Sequence, residues 1–371
     1  MTSNNPASHS RGPVWSSARL IVNPALERLS EITARFARVS IVGLGDEGNS
    51  IVSHIFQGGG SGAQCIAANT DKEHLEQVYS HEKVFIEPDV QPADSDEARE
   101  RVISECAGLL APLLVGADVA FIVAKMGEKT GLNAAPIVAE IARQAGAVAV
   151  GVAIMPPPSR ITDGFAPHEL AGMRRACHTL AIVDPARSKQ LVPFPPSLYE
   201  DSSDNLVADM VSGIAETLAC PSVVNINLAA FRGLMIHGGI AHFGVAHSTS
   251  ALRVEEATMG ALRGPLLYDS VTRNRGALVN VRGDSDLTIG EAQRAADLVA
   301  ERAGWNMPII VGAHAEESSL DGCQVSILLT GGIYPYIPGG YRRLPLDMDE
   351  MEPDGEEERQ IDLDLDLDQL E

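Results

Sequence analysis

Residues 117–140, ADVAFIVAKMGEKTGLNAAPIVAE, place two lysines, a carboxylate and two glycines where an anion would bind. An apolar, β-branched run stops at Met126, a loop with Gly127 and Gly131 follows, and Pro136 reads as opening an apolar-periodic helix. Strand, glycine loop and helix N-terminus in that order make an anion site. Orphan backbone N–H groups and the positive end of the helix dipole converge on one point. Glu128 sits inside that loop with Lys125 and Lys129 beside it. Its charge opposes a phosphate unless a cation or one of the lysines offsets it. The loop was either built for a nucleotide and later altered, or built on that plan for something else.

Two further loops have the same character. A strand over Arg38–Leu44 ends in Gly45-Asp46-Glu47-Gly48-Asn49, with a helix expected from about Asn49. The carboxylates of Asp46 and Glu47 could bind a hydrated Mg²⁺ or K⁺ alongside a nucleotide, or could repel its phosphates. A strand over Gln64–Asn69 closes on Asn69-Thr70-Asp71, a set that caps a following helix equally well.

The elements that position these loops alternate. Strands are predicted at Lys83–Ile86, at Ala147–Ile154 and at Thr179–Val183, with helices at Glu97–Val115 and around His168–His178. This spacing predicts an α/β fold with a doubly wound, mostly parallel sheet and sites at the strands' C-terminal ends. A long central helix runs over Asp204–Ala219, and Pro221 stops it. Beyond it, strands at Leu234–Ala251, Gly276–Arg282, Met307–Ala315 and Gln324–Thr330, with helices at Glu255–Arg263 and Thr288–Ala303, predict a smaller α+β second domain. The expected division is an N-terminal extension with a short helix (1–37), a nucleotide-binding domain (38–200), the central helix (201–222), the second domain (223–336) and an acidic, disordered tail (337–371).

Composition narrows the function classes. The 371 residues carry a net charge of −22, which argues against nucleic acid as a partner because its phosphates would be repelled. Residues 347–371 hold 13 acidic side chains and one arginine, so about half of the excess lies in the tail. No apolar run is long enough to span a bilayer, and no signal peptide is evident at the start, so a cytoplasmic protein is expected. The five cysteines (Cys65, Cys106, Cys177, Cys220, Cys323) are scattered without a CxxC pair, which favours reduced, mostly buried thiols.

Taken in order, the loops resemble the tubulin/FtsZ superfamily, nearer to its FtsZ branch. GLGDEGNSIV (43–52) is similar to the family's first nucleotide loop, and AANTD (67–71) matches the next. MGEKTGLNAAP (126–136) stands where the family signature reads MGGGTGTGAAP. SDNLVADMVSGIAETLACPSVVNINLAAF (203–231) runs without a gap along the central helix and the loop after it, and ALVNVRGDSDLTIGEAQRAADLV (277–299) resembles the second domain.

The resemblance implies GTP or GDP as ligand and a "synergy" loop that completes the pocket of the next subunit in a filament. Carried onto this chain, Asn49 would contact the guanine, helped by Asp204 and Asn205, which stand where the family has Asn-Asp. Asp204 is favoured because a carboxylate accepts from both guanine edge donors, and it suits a helix N-cap as well. Gly45 and Gly48 would admit phosphates, Gly127, Thr130 and Gly131 would cradle the terminal ones, and Asn69, Asp71 and Arg187 would complete the pocket.

The departures fall on the chemistry. The family's synergy loop reads N-x-D-x-x-D, and here the run is Asn225, Asn227, Ala230. Asn227 can hydrogen-bond a water but cannot act as a base near neutral pH, and Ala230 can do neither. The expectation is a GTP-binding cytoskeletal protein with weak or absent hydrolysis, forming filaments alone or with a competent homologue in cell division or cell shape. A non-nucleotide scaffold is the alternative, and a GTPase that relocates its catalysis to Asp46 or Glu47 is a third reading. The tail IDLDLDLDQL is either solvated or a peptide that docks on a membrane-anchor protein through Leu363, Leu365 and Leu367.

Overall fold

The computed structural model describes residues 36–59, 62–87, 96–156, 167–183, 203–263, 274–303, 307–316 and 322–332. The short helix expected at 24–36, Arg187 and the acidic tail lie outside them, except for Phe36. In the first half, β1 (Val39–Leu44), α1 (Gly45–Gln57), β2 (Gln64–Asn69), α2 (Lys72–Gln77) and β3 (Glu82–Phe85) come first. Then follow α3 (Asp96–Leu114), β4 (Val119–Lys125), α4 (Lys129–Gln144), β5 (Val148–Ile154), α5 (Pro167–Ala176) and β6 (Thr179–Val183). The central helix is α6 (Ser203–Ala219). After it come α7 (Leu228–Ile236), β7 (Gly239–Ser248), α8 (Arg253–Leu262), β8 (Gly276–Asp284), α9 (Ile289–Ala303), β9 (Ile309–Glu316) and β10 (Cys323–Gly332).

All ten strands join one sheet in the order β3-β2-β1-β4-β5-β6-β7-β10-β8-β9. Only the two pairings made by β10 are antiparallel, so the sheet is mostly parallel, as the alternation of elements predicts. The halves meet where β6 pairs with β7 in parallel over three residues, Thr179–Ala181 against Gly239–Ala241. β1, β5 and β6 are buried on both faces, which is why they read as unbroken apolar runs rather than alternating ones.

Helices cover both faces. Leu110 of α3, Ile141 of α4 and Met173 of α5 pack with Val42, Leu44 and Ile122 on one side. On the other, Ile51 and Val52 of α1 and a stripe on α6 (Val207, Val211, Ile214, Leu218) pack with Ile41, Phe121 and Val123. Helices α8 and α9 bury Ala257 and Ala295 against Val279 and Val325 of the second half. Polar contacts tie α6 to that half as well. Thr217 and Asn280 share a buried hydrogen bond of 2.7 Å, and Glu216 lies 3.3 Å from Arg282. The cysteines are free thiols, four of them buried.

Three expectations need correction. The helix after β1 starts at Gly45 rather than near Asn49, because Asp46 and Glu47 suit the positive end of a helix. The helix after β4 starts at Lys129 rather than at Pro136, which falls in its eighth position, so the loop before it shrinks to Met126–Glu128. The strand expected from Leu234 begins only at Gly239. Leu234–Ile236 instead close helix α7, whose start is fixed by Asn227 as N-cap.

Candidate functional site

The strand order reverses at β1 and β4, adjacent parallel strands whose following helices cross to opposite faces of the sheet. Such a switch point leaves a crevice beyond the strands' C-terminal ends, the usual ligand position in a doubly wound sheet. The N-termini of α1 and α4 both open on it, bringing two sets of unpaired N–H groups together.

Glycines make the close approach possible. Gly45 has φ +74°, in the left-handed region that favours glycine. A Cβ on Gly48 would sit 2.5 Å from the carbonyl oxygen of Val123, and one on Gly43 would strike the carbonyl of Gly48. The first turn of α1 is thereby pressed against β1 and β4.

Charged groups fill the floor of the crevice. Lys125, the last residue of β4, is largely buried and bonds the carboxylate of Glu47 on α1. Its ammonium also lies 3.7 Å from Glu128, the residue before α4. Burial pushes the Glu128 carboxyl above its ordinary range. Lys125 pulls it down, Glu47 and Asp46 push it up, and a hydrogen bond from the Glu47 backbone N–H lowers it. Asp46 turns elsewhere, accepting from the Asn69 amide at 2.8 Å and lying 3.7 Å from His74. Asp46 and Glu47 are thus each paired within the protein, and no group of three potential metal ligands stands among the described residues.

The expected contact residues fall into three groups. Gly45, Gly48, Gly127 and the backbones of Thr130 and Gly131 come together at the two helix starts, and Thr130 and Gly131 lie in the first turn of α4 rather than in a loop. Asn69 and Asp71 stand beside them but serve local structure. Asn69 accepts from the Asp71 N–H at 3.1 Å, and Asp71 caps α2 through the His74 N–H at 3.1 Å. Asn49 is fully buried, and its amide spans the C=O and N–H of Ala68 at 3.1 Å each, a strut between α1 and β2. Asp204 and Asn205 lie in the first turn of α6, inside the helix rather than at its cap.

The degenerate loop lies at the other end of the sheet. Ala37, just ahead of β1, donates its N–H to Leu218 in the last turn of α6 at 3.0 Å. The chain beyond α6 therefore emerges at the N-terminal end of β1, away from the crevice. There Asn225 donates to the Cys220 carbonyl at 2.8 Å, Asn227 accepts from the Ala230 N–H at 3.0 Å, and Ala230 is exposed. Sequence reasoning missed the Asp46–Asn69–His74 chain. The one local signal was the three-residue step from Asp71 to His74, which marks a short capped helix.

Comparison with known proteins decides the family. Residues 38–184 match the GTPase domain of the tubulin/FtsZ family, and residues 239–332 match the FtsZ family C-terminal domain. The protein called cell division protein FtsZ 2 of Methanocaldococcus jannaschii is 33% identical over 313 residues, 82% of each chain. This chain belongs to the tubulin/FtsZ family. Cell division protein FtsZ 2 of Halobacterium salinarum is 32% identical over 300 residues, 79% of this chain and 76% of the other. Among solved structures, the empty FtsZ dimer of M. jannaschii superposes with a TM-score of 0.74 at 28% identity, over 84% of this chain and 93% of that one. As an FtsZ-family protein the chain carries the family's GTPase domain, with Glu47 and Glu128 at the starts of α1 and α4. Among the described residues, no helix is long and apolar enough to cross a membrane.

Proposed function

We propose that this FtsZ-family protein binds GTP at the β1/β4 crevice, assembles into filaments, and hydrolyses GTP weakly or not at all. The observation that carries this reading is a pairing of opposites at the two ends of α6. One end has a crevice with two helix N-termini, and the other a loop offering Asn225, Asn227 and Ala230 with no carboxylate. Phosphoryl transfer to water depends on positioning and charge stabilisation. A subunit whose loop covers a neighbour's GTP without a base would hold that nucleotide unhydrolysed, and so would act as a brake within filaments of its own kind or of a competent homologue. In this reading residues 38–200 hold the nucleotide, with Gly45, Gly48, Gly127, Thr130 and Gly131 at the phosphates, Asp204 and Asn205 toward the base, and Arg187 as a further contact. Residues 223–336 present the loop face, and the acidic tail at 337–371 engages a membrane-anchor protein.

A second reading is favoured by one specific feature. Glu47 and Glu128 already engage the lysine at the phosphate end, which would suit a scaffold that no longer takes nucleotide. Sedimentation with Mg²⁺ and GTP, alone and mixed with a hydrolysis-competent FtsZ homologue, separates the two. Co-pelleting that depends on GTP, with phosphate release reduced in proportion to the added chain, supports the filament reading. Pelleting indifferent to nucleotide, with the homologue's turnover untouched, overturns it in favour of the scaffold.

A further inference from the structure

We infer that Lys125 is the phosphate-binding cation of this crevice, held by Glu47 and Glu128 as resident anions, so that phosphates enter by exchanging with carboxylates. The inference rests on reading the crevice as a nucleotide site, and it adds how that site is regulated.

Lys125 ends β4 between the two helix starts, with its side chain only 13% exposed. Its ammonium is bound by Glu47 from the first turn of α1 and approached by Glu128 from the N-cap of α4. Glu128 also takes the backbone N–H of Glu47, one of the orphan donors that a helix start offers to an anion. The Lys125 ammonium and one N–H of the first turn of α1, groups a phosphate would use, are thus engaged by carboxylates of the protein itself. Glu47 and Glu128 are an internal substitute for the ligand, and they keep a buried lysine from standing unpaired when the site is empty.

Entry of a phosphate brings more negative charge to a place that holds one ammonium and three carboxylates. The groups facing Glu128 are Lys125 on β4 and Glu47 and Asp46 on α1, with His74 beyond Asp46. Glu128 is already pushed toward its neutral form by burial, so it is the carboxylate that gives way. A bound phosphate favours its protonated state further, so the complex holds more protons than the free protein. Affinity then rises as pH falls and declines as pH rises through the same window.

The test is calorimetric titration of GTP, and separately of guanosine, into the full-length protein and its Glu128→Gln, Glu47→Gln, Lys125→Met and Lys125→Arg variants, at about pH 6 and about pH 8. The γ-phosphate titrates in every sample, so the ratio of wild type to variant isolates the protein's own proton. Wild type should lose more GTP affinity as pH rises than Glu128→Gln does. Glu128→Gln and Glu47→Gln should bind GTP about tenfold more tightly than wild type at the higher pH. Lys125→Met should weaken GTP about tenfold and leave guanosine unchanged, while Lys125→Arg keeps GTP binding. Equal GTP affinity in Lys125→Met and wild type, or a Glu128→Gln protein that follows wild type at both pH values, overturns the anion exchange and leaves the nucleotide reading intact. Should Lys125→Met fail to fold by circular dichroism, the Glu128→Gln and Lys125→Arg arms decide alone. Absence of GTP binding in every protein overturns both the exchange and the nucleotide site.

Discussion

The side-chain oxygen of Asn227 accepts the main-chain N–H of Ala230 at 3.0 Å, so the two positions where the family signature carries carboxylates are joined as the cap of helix α7. That relationship explains how the loop keeps its shape without them. Aspartate is as good an N-cap as asparagine, and an aspartate three residues on lies at the favourable end of the helix dipole. The double substitution Asn227→Asp/Ala230→Asp should therefore leave stability within about 1 kcal/mol of wild type. It should also raise GTP turnover by at least about tenfold, read as phosphate release at saturating GTP. Intact GTP binding with flat turnover would place the missing step elsewhere.

Asn49 offers a test of its strut role that needs no nucleotide. Asn49→Leu keeps the volume and leaves the N–H and C=O of Ala68 unpaired in a buried site. The expected loss is about 1–3 kcal/mol for each group left without a partner, read from urea unfolding midpoints. A change below about 0.5 kcal/mol would mean that water or a shifted backbone satisfies Ala68.

His178 sets a pH dependence of folding. Its Nδ1 accepts the Ala149 N–H at 3.0 Å, and burial, followed by the charges of Arg143, Arg232 and His237, lowers its pKa from 6.5 to about 4. Between those values the unfolded chain takes up a proton that the folded chain refuses. This contribution to stability is complete above about pH 6.5 and is lost as pH falls toward about 4. His178→Asn, whose amide oxygen can accept the same N–H without titrating, should flatten the fall in melting temperature over that window. An unchanged pH profile would assign the effect to other groups.

Much of the fold was legible because buried parallel strands announce themselves as apolar, β-branched runs. The bounds of β2 and β6 agree with their sequence-based expectations to the residue. The failures have local causes. Gly45–Asn49 looked like a loop because it has two glycines, yet Asp46 and Glu47 are stabilising in a first helical turn. Pro136 looked like a helix opener, although a helix already under way can carry it at the cost of one hydrogen bond. Leu234–Ile236 is too short an apolar run to separate helix from strand by period, and the deciding signal was the Asn227 cap seven residues upstream of Leu234. The parallel pairing of β6 with β7 left no trace in either segment.

The site was legible as a place and not as a set of contacts. Glycine spacing located the crevice, since Gly48 has room for no Cβ against Val123. The bond between Lys125 and Glu47 joins residues 78 apart in sequence, and only the adjacency of β1 and β4 brings them together. The burial of Asn49 has the same origin, because it depends on how α1 lies over β2.

Calorimetric titration of GTP with Mg²⁺ into the purified protein, at low and at molar KCl, tests the central claim most directly. The crevice between the α1 and α4 N-termini predicts binding with a Kd on the order of micromolar, about −8 kcal/mol. No heat of binding at either salt concentration would contradict it, and the chain would then be an FtsZ-family scaffold whose carboxylates have closed the site to nucleotide.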